Sequence, residues 1–340
     1  MLNQQRIALP TILFAAAQQQ IDLPRGVYIK HLDLRIAGTI DIAAGGGADG
    51  VLLNENVARL IRELTVKWDN FDLVQRMSGR DLVAVAKRGI KQPLTGVSLA
   101  APGIGTTAFH QTFRINFARP WLVNSYETVL PPLPVSSQFK LYVNWETGVA
   151  GGVGSVAGSG AFIRPGSGTR VVTFPVAPTI EVASVSGIRG TMPWFLPVLT
   201  SLDSEQFQNA NPRLVTQIVN NRRFDSVLLA VRNGQDAEGA AILNDVTFQS
   251  AGVRYIDAIR AGMLHETEQM DFAGVTDVAD DTGYFFLLFA DGGWLGNVVE
   301  PQALVAPRFE LNVGAPAAPG VVRYNFCELV TQELLTKVTG

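Results

Sequence analysis

Residues 31–42 read HLDLRIAGTIDI, with apolar side chains at alternate positions: Leu32, Leu34 and Ile36 share one face, as do Ile40 and Ile42. A period of two is the mark of a strand with one buried face. Runs of similar character occur at 112–117, 139–145, 171–176, 226–231, 284–289, 309–313 and 322–330. Between the runs the chain is punctuated by 33 glycines and 18 prolines, residues that turn a chain or end a strand. Many short strands separated by turns point to an all-β protein.

Helical signals are few. Asn54 can cap a helix in which Val57, Leu60, Ile61 and Leu64 form an apolar stripe. Ser78 with Asp81 three residues on is a variant capping box before 82–87, and Gly89 suits the stop. Asn211 and Pro212 predict a third helix carrying Leu214, Val215 and Ile218. Ser250 precedes a fourth, over 253–261, ended by Gly262.

The two halves of the chain resemble each other. At a shift of 172 residues Ser78 meets Ser250, Ala86 meets Ala258 and Arg88 meets Arg260; Phe113 meets Phe285, Ile115 meets Leu287, Phe117 meets Phe289 and Ala118 meets Ala290. One residue out of phase, Trp121 meets Trp294. Phe139, Leu141 and Val143 match Phe309, Leu311 and Val313, while Asn54 and Ile61 match Asn211 and Ile218 at a shift of 157. A period of about half the chain predicts two copies of one domain, with Phe117, Trp121, Phe289 and Trp294 as repeat-equivalent core positions. The expected fold is two tandem eight-stranded jelly-roll sandwiches with short helical insertions. Its expected divisions are an arm over 1–25, a first jelly roll over 26–150, a glycine-rich linker over 151–168, a second jelly roll over 169–330 and a tail over 331–340.

Length agrees, since 340 residues suit two domains of ~100–200 residues each. Charged residues make only 17% of the chain, against roughly 25% in ordinary soluble domains, so much of the surface is expected to be buried against partners. A net charge of −3 excludes a generally basic nucleic-acid footprint, and no sequence-specific nucleic acid is expected as a partner. The single cysteine, Cys327, excludes an internal disulfide framework and a multi-cysteine zinc site. It reads as a buried thiol on a strand. His31, His110 and His265 lie far apart in the chain and lack metal-ligand spacing.

Chemistry-bearing motifs are correspondingly scarce. Gly152, Gly154 and Gly158 imitate a dinucleotide-binding loop, but Pro165 and Gly166 follow soon after and prevent the helix that such a loop requires. Asp277, Asp280 and Asp281 are the weak metal candidates. Clustered carboxylates suit a hard cation such as calcium, yet the EF-hand spacing and its glycine are missing, and the segment reads as a solvated acidic loop. No zinc-protease helix, phosphate-binding lysine loop or nucleophile elbow is present. No cofactor is expected, though carboxylates from distant segments could still meet in the fold.

No stretch is long and apolar enough for a spanning helix: the longest uncharged run, 92–113, is broken by Pro93, Gly96, Pro102, Gly103 and Gly105. Residues 7–17 are apolar but interrupted by Pro10 and preceded only by Arg6. They read as an ordered arm and not a cleaved signal. With no cationic face to favour a membrane surface, the arm is expected to pack beneath an assembly or on a neighbouring subunit and hide Ile12, Leu13 and Phe14.

The order of elements through 54–68, 77–89, 112–145 and 248–313 resembles that of the double jelly-roll major capsid proteins of tectivirus-type, internal-membrane-containing icosahedral viruses. The resemblance spans about 24–330 and rests on architecture, not on a short motif. It implies a homotrimer whose six jelly rolls make a pseudo-hexagonal capsomer of an icosahedral shell. It implies contacts with neighbouring capsomers and with minor capsid or vertex proteins, an internal membrane on the inner side, location in the virion capsid and assembly in the host cytoplasm. The competing reading is a tandem jelly-roll carbohydrate-binding or glycan-processing protein, which needs an aromatic platform or a carboxylate pair in one cleft. A secreted adhesin or appendage subunit is a third.

Overall fold

A computed structural model of the chain describes residues 4–43, 56–88, 104–147, 155–162, 171–187, 195–219, 222–233, 237–238, 242–271, 283–290 and 298–331. The chain divides into two compact units. The first is Met1–Ala86, Leu94–Ala118 and Val129–Met192; the second is Lys87–Pro93, Arg119–Thr128 and Pro193–Gly340. No helix among the described residues is long and apolar enough to cross a membrane.

From the N-terminus to residue 187 the elements are β1 (Gln4–Ala8), β2 (Ile12–Leu13), β3 (Gln19–Asp22), β4 (Tyr28–Ile42), α1 (Asn56–Arg59), β5 (Ile61–Trp68), β6 (Phe71–Met77), α2 (Gly79–Arg88), β7 (Gly105–Asn116), β8 (Phe139–Trp145) and β9 (Val172–Gly187). The strands form two antiparallel sets. One runs β7-β4-β9, with β1 and β2 both on the far side of β9; the other runs β6-β5-β8-β3.

The second unit holds β10 (Phe195–Asp203), β11 (Asn211–Gln217), β12 (Arg223–Asn233), β13 (Ala237–Glu238), β14 (Leu243–Ser250), β15 (Val253–Arg260), α3 (Ala261–Asp271), β16 (Tyr284–Leu288), β17 (Arg308–Val313) and β18 (Gly320–Thr331). Its sets run β16-β12-β18-β10, with β13 also on β12, and β15-β14-β17-β11. If β1 and β2 count as one broken strand, the two units have the same eight-stranded order, position for position. Each is a jelly roll, and a helix (α2 or α3) follows the same strand in each.

The repetition extends to single hydrogen bonds. In the first unit the amides of Phe117 and Ala118 both donate to the Lys30 carbonyl, at 2.9 and 2.8 Å, and Ile29 exchanges two backbone bonds with Leu130. In the second unit Phe289 and Ala290 donate to the Asp225 carbonyl at 2.9 and 3.1 Å, and Phe224 exchanges two bonds with Val299. The hairpins β5–β6 and β14–β15 turn through Asp69 and Ala251, both with positive φ.

Alternation supplies the cores. In β4 the even positions Leu32, Leu34, Ile36, Ile40 and Ile42 are fully buried. In the second unit Phe309 lies between the sheets, its ring 5.0 Å from Phe248 and 5.3 Å from Tyr324, and Phe224 reaches Phe248 at 6.4 Å. Burial of aromatic rings of this size supplies most of what holds two sheets face to face.

Several sequence expectations require correction. Residues 211–217 form the edge strand β11, not a helix. Leu214, Thr216 and Ile218 are buried at every second position, and a register irregularity between Asn211 and Leu214 accommodates Pro212, which cannot donate to the ladder. Residues 253–260 are strand β15, and Gly262 stands near the start of α3 instead of ending a helix. Irregular register and a positive φ at Ala258 give β15 an apolar spacing of three at Val253, Ile256 and Ile259, which imitates a helical stripe. The stripe from Val57 to Leu64 is buried, but by a single helical turn followed by β5.

Consequently Ser78, Ala86 and Arg88 have no counterparts in Ser250, Ala258 and Arg260, and Ile61 on β5 does not correspond to Ile218 after β11. The equivalent of β5 is β14. The division expected at 151–168 lies at Met192/Pro193 instead. Residues 155–162 belong to the first unit, where Phe162 is fully buried with its ring 5.2 Å from Phe109. Nor is 1–25 a separate arm, because β1, β2 and β3 are strands of the first jelly roll. Asn54, Gly89, Trp294 and the tail over 332–340 lie outside the described residues.

The capping box at Ser78 is formed: the Asp81 amide donates to Ser78 Oγ at 3.2 Å, and that hydroxyl donates to the Asp81 carboxylate at 2.7 Å.

Phe309→Ala is expected to lower the unfolding free energy by ~3–5 kcal/mol in a denaturant titration, by opening a cavity between the sheets. Val215→Ala, on the exposed side of β11, should stay within ~0.5 kcal/mol. Equal effects would contradict this assignment of the core.

Candidate assembly site

Two regions combine unusual chemistry with a structural anchor: the N-terminal strands of the first unit, and a buried charge cluster in the second.

Strand β1 adds five residues to the edge of β9, from Gln4 opposite Gly187 to Ala8 opposite Ala183. Its side chains bury little, so the ladder, one ion pair and a hydrogen bond from Ser186 Oγ to the Gln5 carbonyl at 3.2 Å hold it. Arg6 donates to the Asp33 carboxylate, which also accepts from Arg114 Nε at 2.7 Å. Burial alone would raise the Asp33 carboxyl, but the hydrogen bond and charge of Arg114, with help from Arg6, hold it below the ordinary range. His31 lies 3.7 Å from the same carboxylate. Burial, reinforced by Arg114, pushes it down to about 4, so it is neutral at pH 7 and the two arginines carry the attraction.

Beyond Pro10 the chain turns inward. Ile12 is buried against the sheet. Phe14 packs edge-on to Trp145 at 5.2 Å and Phe174 at 5.9 Å, and Trp145 Nε1 donates to the Leu13 carbonyl at 2.9 Å. The pocket for Phe14 explains one glycine of the expected linker. Gly158 has φ +82, and a Cβ there would meet Phe14 at 2.8 Å and the Glu146 carbonyl at 2.7 Å. Leu13 alone of the three arm residues is left 62% exposed.

In the second unit Arg119 and Asp225 are both almost wholly removed from solvent, with Nε and Oδ2 3.6 Å apart. The guanidinium also donates to the Val198 and Glu328 carbonyls, at 3.0 and 3.4 Å, and its carbon lies 5.5 Å from the Trp121 ring centroid. Ser226 Oγ donates to Asp225 at 2.6 Å. Burial pushes the Asp225 carboxyl up to about 6, against the opposing pull of Arg119. Glu328, paired with Arg222 at 3.1 Å and Thr200 at 2.9 Å, is raised for the same reason. The pair fastens the segment that begins at Arg119 onto β12, β10 and β18. Trp121 extends it by packing on Phe286 at 5.6 Å. Cys327 is buried, and desolvation pushes its thiol up to about 11, the opposite of nucleophile activation.

Phe117 is buried and Phe289 half-buried, the latter packed 5.5 Å from Phe224 and 5.4 Å from Phe248. Trp121 is half-buried in the second unit, so it and Phe117 fall in different units. Asp277, Asp280 and Asp281 lie outside the described residues. Among the described residues no three His, Cys, Asp or Glu side chains gather where they could hold a metal. Sequence reading passed over Arg119 and Asp225 because each stands alone in its segment. The one signal was the charge of Asp225 just ahead of the apolar run 227–231 of β12.

No family model matches the chain, and no curated protein matches it. Solved structures do. The major capsid protein of Sulfolobus turreted icosahedral virus superposes with a TM-score of 0.68 at 11% identity, over 98% of both chains. The major capsid protein P2 of bacteriophage PM2 gives 0.62 at 14% identity, over 97% of this chain and 98% of that one. A chain of the PBCV-1 virus capsid gives 0.63 at 12% identity, over 95% and 92%.

Because burial raises Asp225, its ionised form costs stability at neutral pH, and that cost disappears as pH falls through about 6 toward the ordinary carboxylate value near 4. Over pH 7 to pH 5 this adds roughly 1.4 kcal/mol of stability, whereas His31, held at about 4, removes about 2 kcal/mol because the unfolded imidazole takes up a proton that the folded one does not. Asp225→Asn should remove the Asp225 gain, so that thermal unfolding of the variant falls more steeply than that of wild type from pH 7 to pH 5. Below pH 4 stability should fall again as Asp33 and Glu310, both held low by arginines, take up protons. A variant whose profile runs parallel to that of wild type between pH 7 and pH 5 would contradict the assignment.

Two jelly rolls of matching strand order in one chain, aligned over nearly their whole length with these capsid chains, give the protein the double jelly-roll fold of viral major capsid proteins.

Proposed function

We propose that the chain is the major capsid protein of an icosahedral virus, assembling as a homotrimer into pseudo-hexagonal capsomers. The observation that carries this reading is the tandem duplication. A subunit with two jelly rolls of one topology presents six similar sides when used three times, and six-sided blocks tile a shell from one gene product. The fold shared end to end with capsid chains supports it, as does a charged fraction low enough for extensive subunit burial.

In this reading the first jelly roll runs to Met192 and the second from Pro193, and the trimers meet neighbouring capsomers and minor capsid or vertex proteins. The exposed Leu13 and the thinly anchored β1 supply the assembly surface of the N-terminal region, toward the interior of the shell and any internal membrane. Ile12 and Phe14 serve to seat it. The mature protein resides in the virion capsid after assembly in the host cytoplasm.

Native mass spectrometry of the purified chain is expected to give a species of three subunits. A monomer would overturn the capsomer reading and favour a tandem jelly-roll glycan-binding protein. Removing residues 1–10, which carry β1 but not the buried Ile12, should leave trimers folded while impairing their assembly into shells. Normal shells from the truncated protein would deny β1 that role.

A further inference from the structure

We propose that a cavity at one end of the second unit is a binding site for a small organic monocarboxylate with an apolar body.

The cavity, of about 530 Å³, lies against β12, β18 and β10 where β18 begins. Strand register fixes what lines it. Val322 and Tyr324 point into the core, so Val321 and Arg323 point to the outer face of the sheet. Arg232 stands opposite Val321, and Asp203 opposite Arg323. All four side chains therefore share that face. Beyond Asp203 the pairing is irregular. The Ser204 amide donates to the Val322 carbonyl at 2.8 Å, and Phe207 exchanges two backbone bonds with Gly320. Glu205 and Gln206 together thus face Val321 alone, which makes a bulge. Gln206 lines the cavity from this bulge, and Ala318 and Pro319 line it from the segment that enters β18.

The lining matches one class of ligand. Val321, Ala318 and Pro319 offer apolar surface. Arg323 grips Asp203 with two bonds, Nε to Oδ1 at 2.6 Å and Nη2 to Oδ2 at 3.0 Å. Arg232 is only 9% exposed. Both guanidiniums have partners within the protein, and the five N–H groups of each serve more than one acceptor. Among the described residues of the lining, two arginines against one aspartate leave one net positive charge. A monoanion balances that charge, whereas a dianion exceeds it. The planar fork of arginine matches the two oxygens of a carboxylate, as its grip on Asp203 demonstrates. Apolar walls with a few fixed polar groups, around a volume of this size, are the usual form of a small-molecule site.

The jelly roll itself does not require these cations. The irregularity at Ile29/His31 in the first unit matches the one at Phe224/Ser226 in the second. Counted from there in the same register, Ala37 holds the place of Arg232, and Glu181 holds the place of Arg323. A unit of the same strand order is therefore built with neither arginine. The paired cations are a feature of the second unit alone.

The test titrates the full chain by calorimetry with benzoate, with benzamide, which keeps the ring and loses the charge, and with inorganic phosphate. Benzoate is expected to bind at least tenfold more tightly than either, and to weaken as salt is raised. Arg232→Met should weaken benzoate at least tenfold. Asp203→Asn, at an exposed position, should strengthen it at least threefold by removing the carboxylate that competes for Arg323. That gain is one that damage to the fold does not produce, so it decides the matter even if the Arg232 variant fails to fold. Benzoate that does not bind at about 10 mM overturns the site. So does benzamide or phosphate that binds as tightly, a folded Arg232→Met that binds benzoate as wild type does, or an Asp203→Asn that binds it no better.

Discussion

Two antiparallel sheets can hide their apolar faces only against each other, and the rest of this structure follows from that need. In each unit, alternating side chains fill the gap between sheets of matching order. In the second the aromatic series Phe224, Phe248, Phe309 and Tyr324 spans it. Facing sheets solve the problem of the inner faces but leave the strand edges open, and open edges pair with other chains. The edge of β9 is closed by the chain's own β1 and β2, and the corresponding edge of β18 by β10. Among the described residues β3, β7, β11 and β15 have no strand beyond them.

The buried Arg119–Asp225 pair is a different kind of constraint. Ion pairs withdrawn from water rarely add net stability compared with apolar packing. This one is not hydrogen-bonded directly, which is why burial wins and Asp225 titrates near neutrality. Its contribution is to position. The same residue's carbonyl receives Phe289 and Ala290, so β12, the end of β16 and the segment after Arg119 are referred to a single point. In the first unit that point is the Lys30 carbonyl, which receives Phe117 and Ala118.

Much of the fold was legible because a half-buried strand writes its geometry directly into the sequence: β4, β8 and β17 stand where alternation placed them. The duplication was legible where side chains face a core, as in Phe113 and Phe285 or Phe139 and Phe309. It misled where only isolated identities agreed, since Ser78 caps a helix and Ser250 ends a strand. The helices expected at 211–218 and 253–261 failed for a common reason. Irregular pairing changes the spacing of buried residues or accommodates a proline, and sequence periodicity alone does not register a bulge. The apolar N-terminal region is legible as a stretch to be covered, whereas its pairing with β9 is not.

The central claim is that one chain used three times builds a six-sided block. Electron cryomicroscopy of the assembled protein tests it most directly. Particles or sheets are expected in which each hexagonal block resolves into three copies of this chain and six jelly rolls. Blocks built from six separate chains, or discrete monomers with no lattice under any assembly condition, would contradict it.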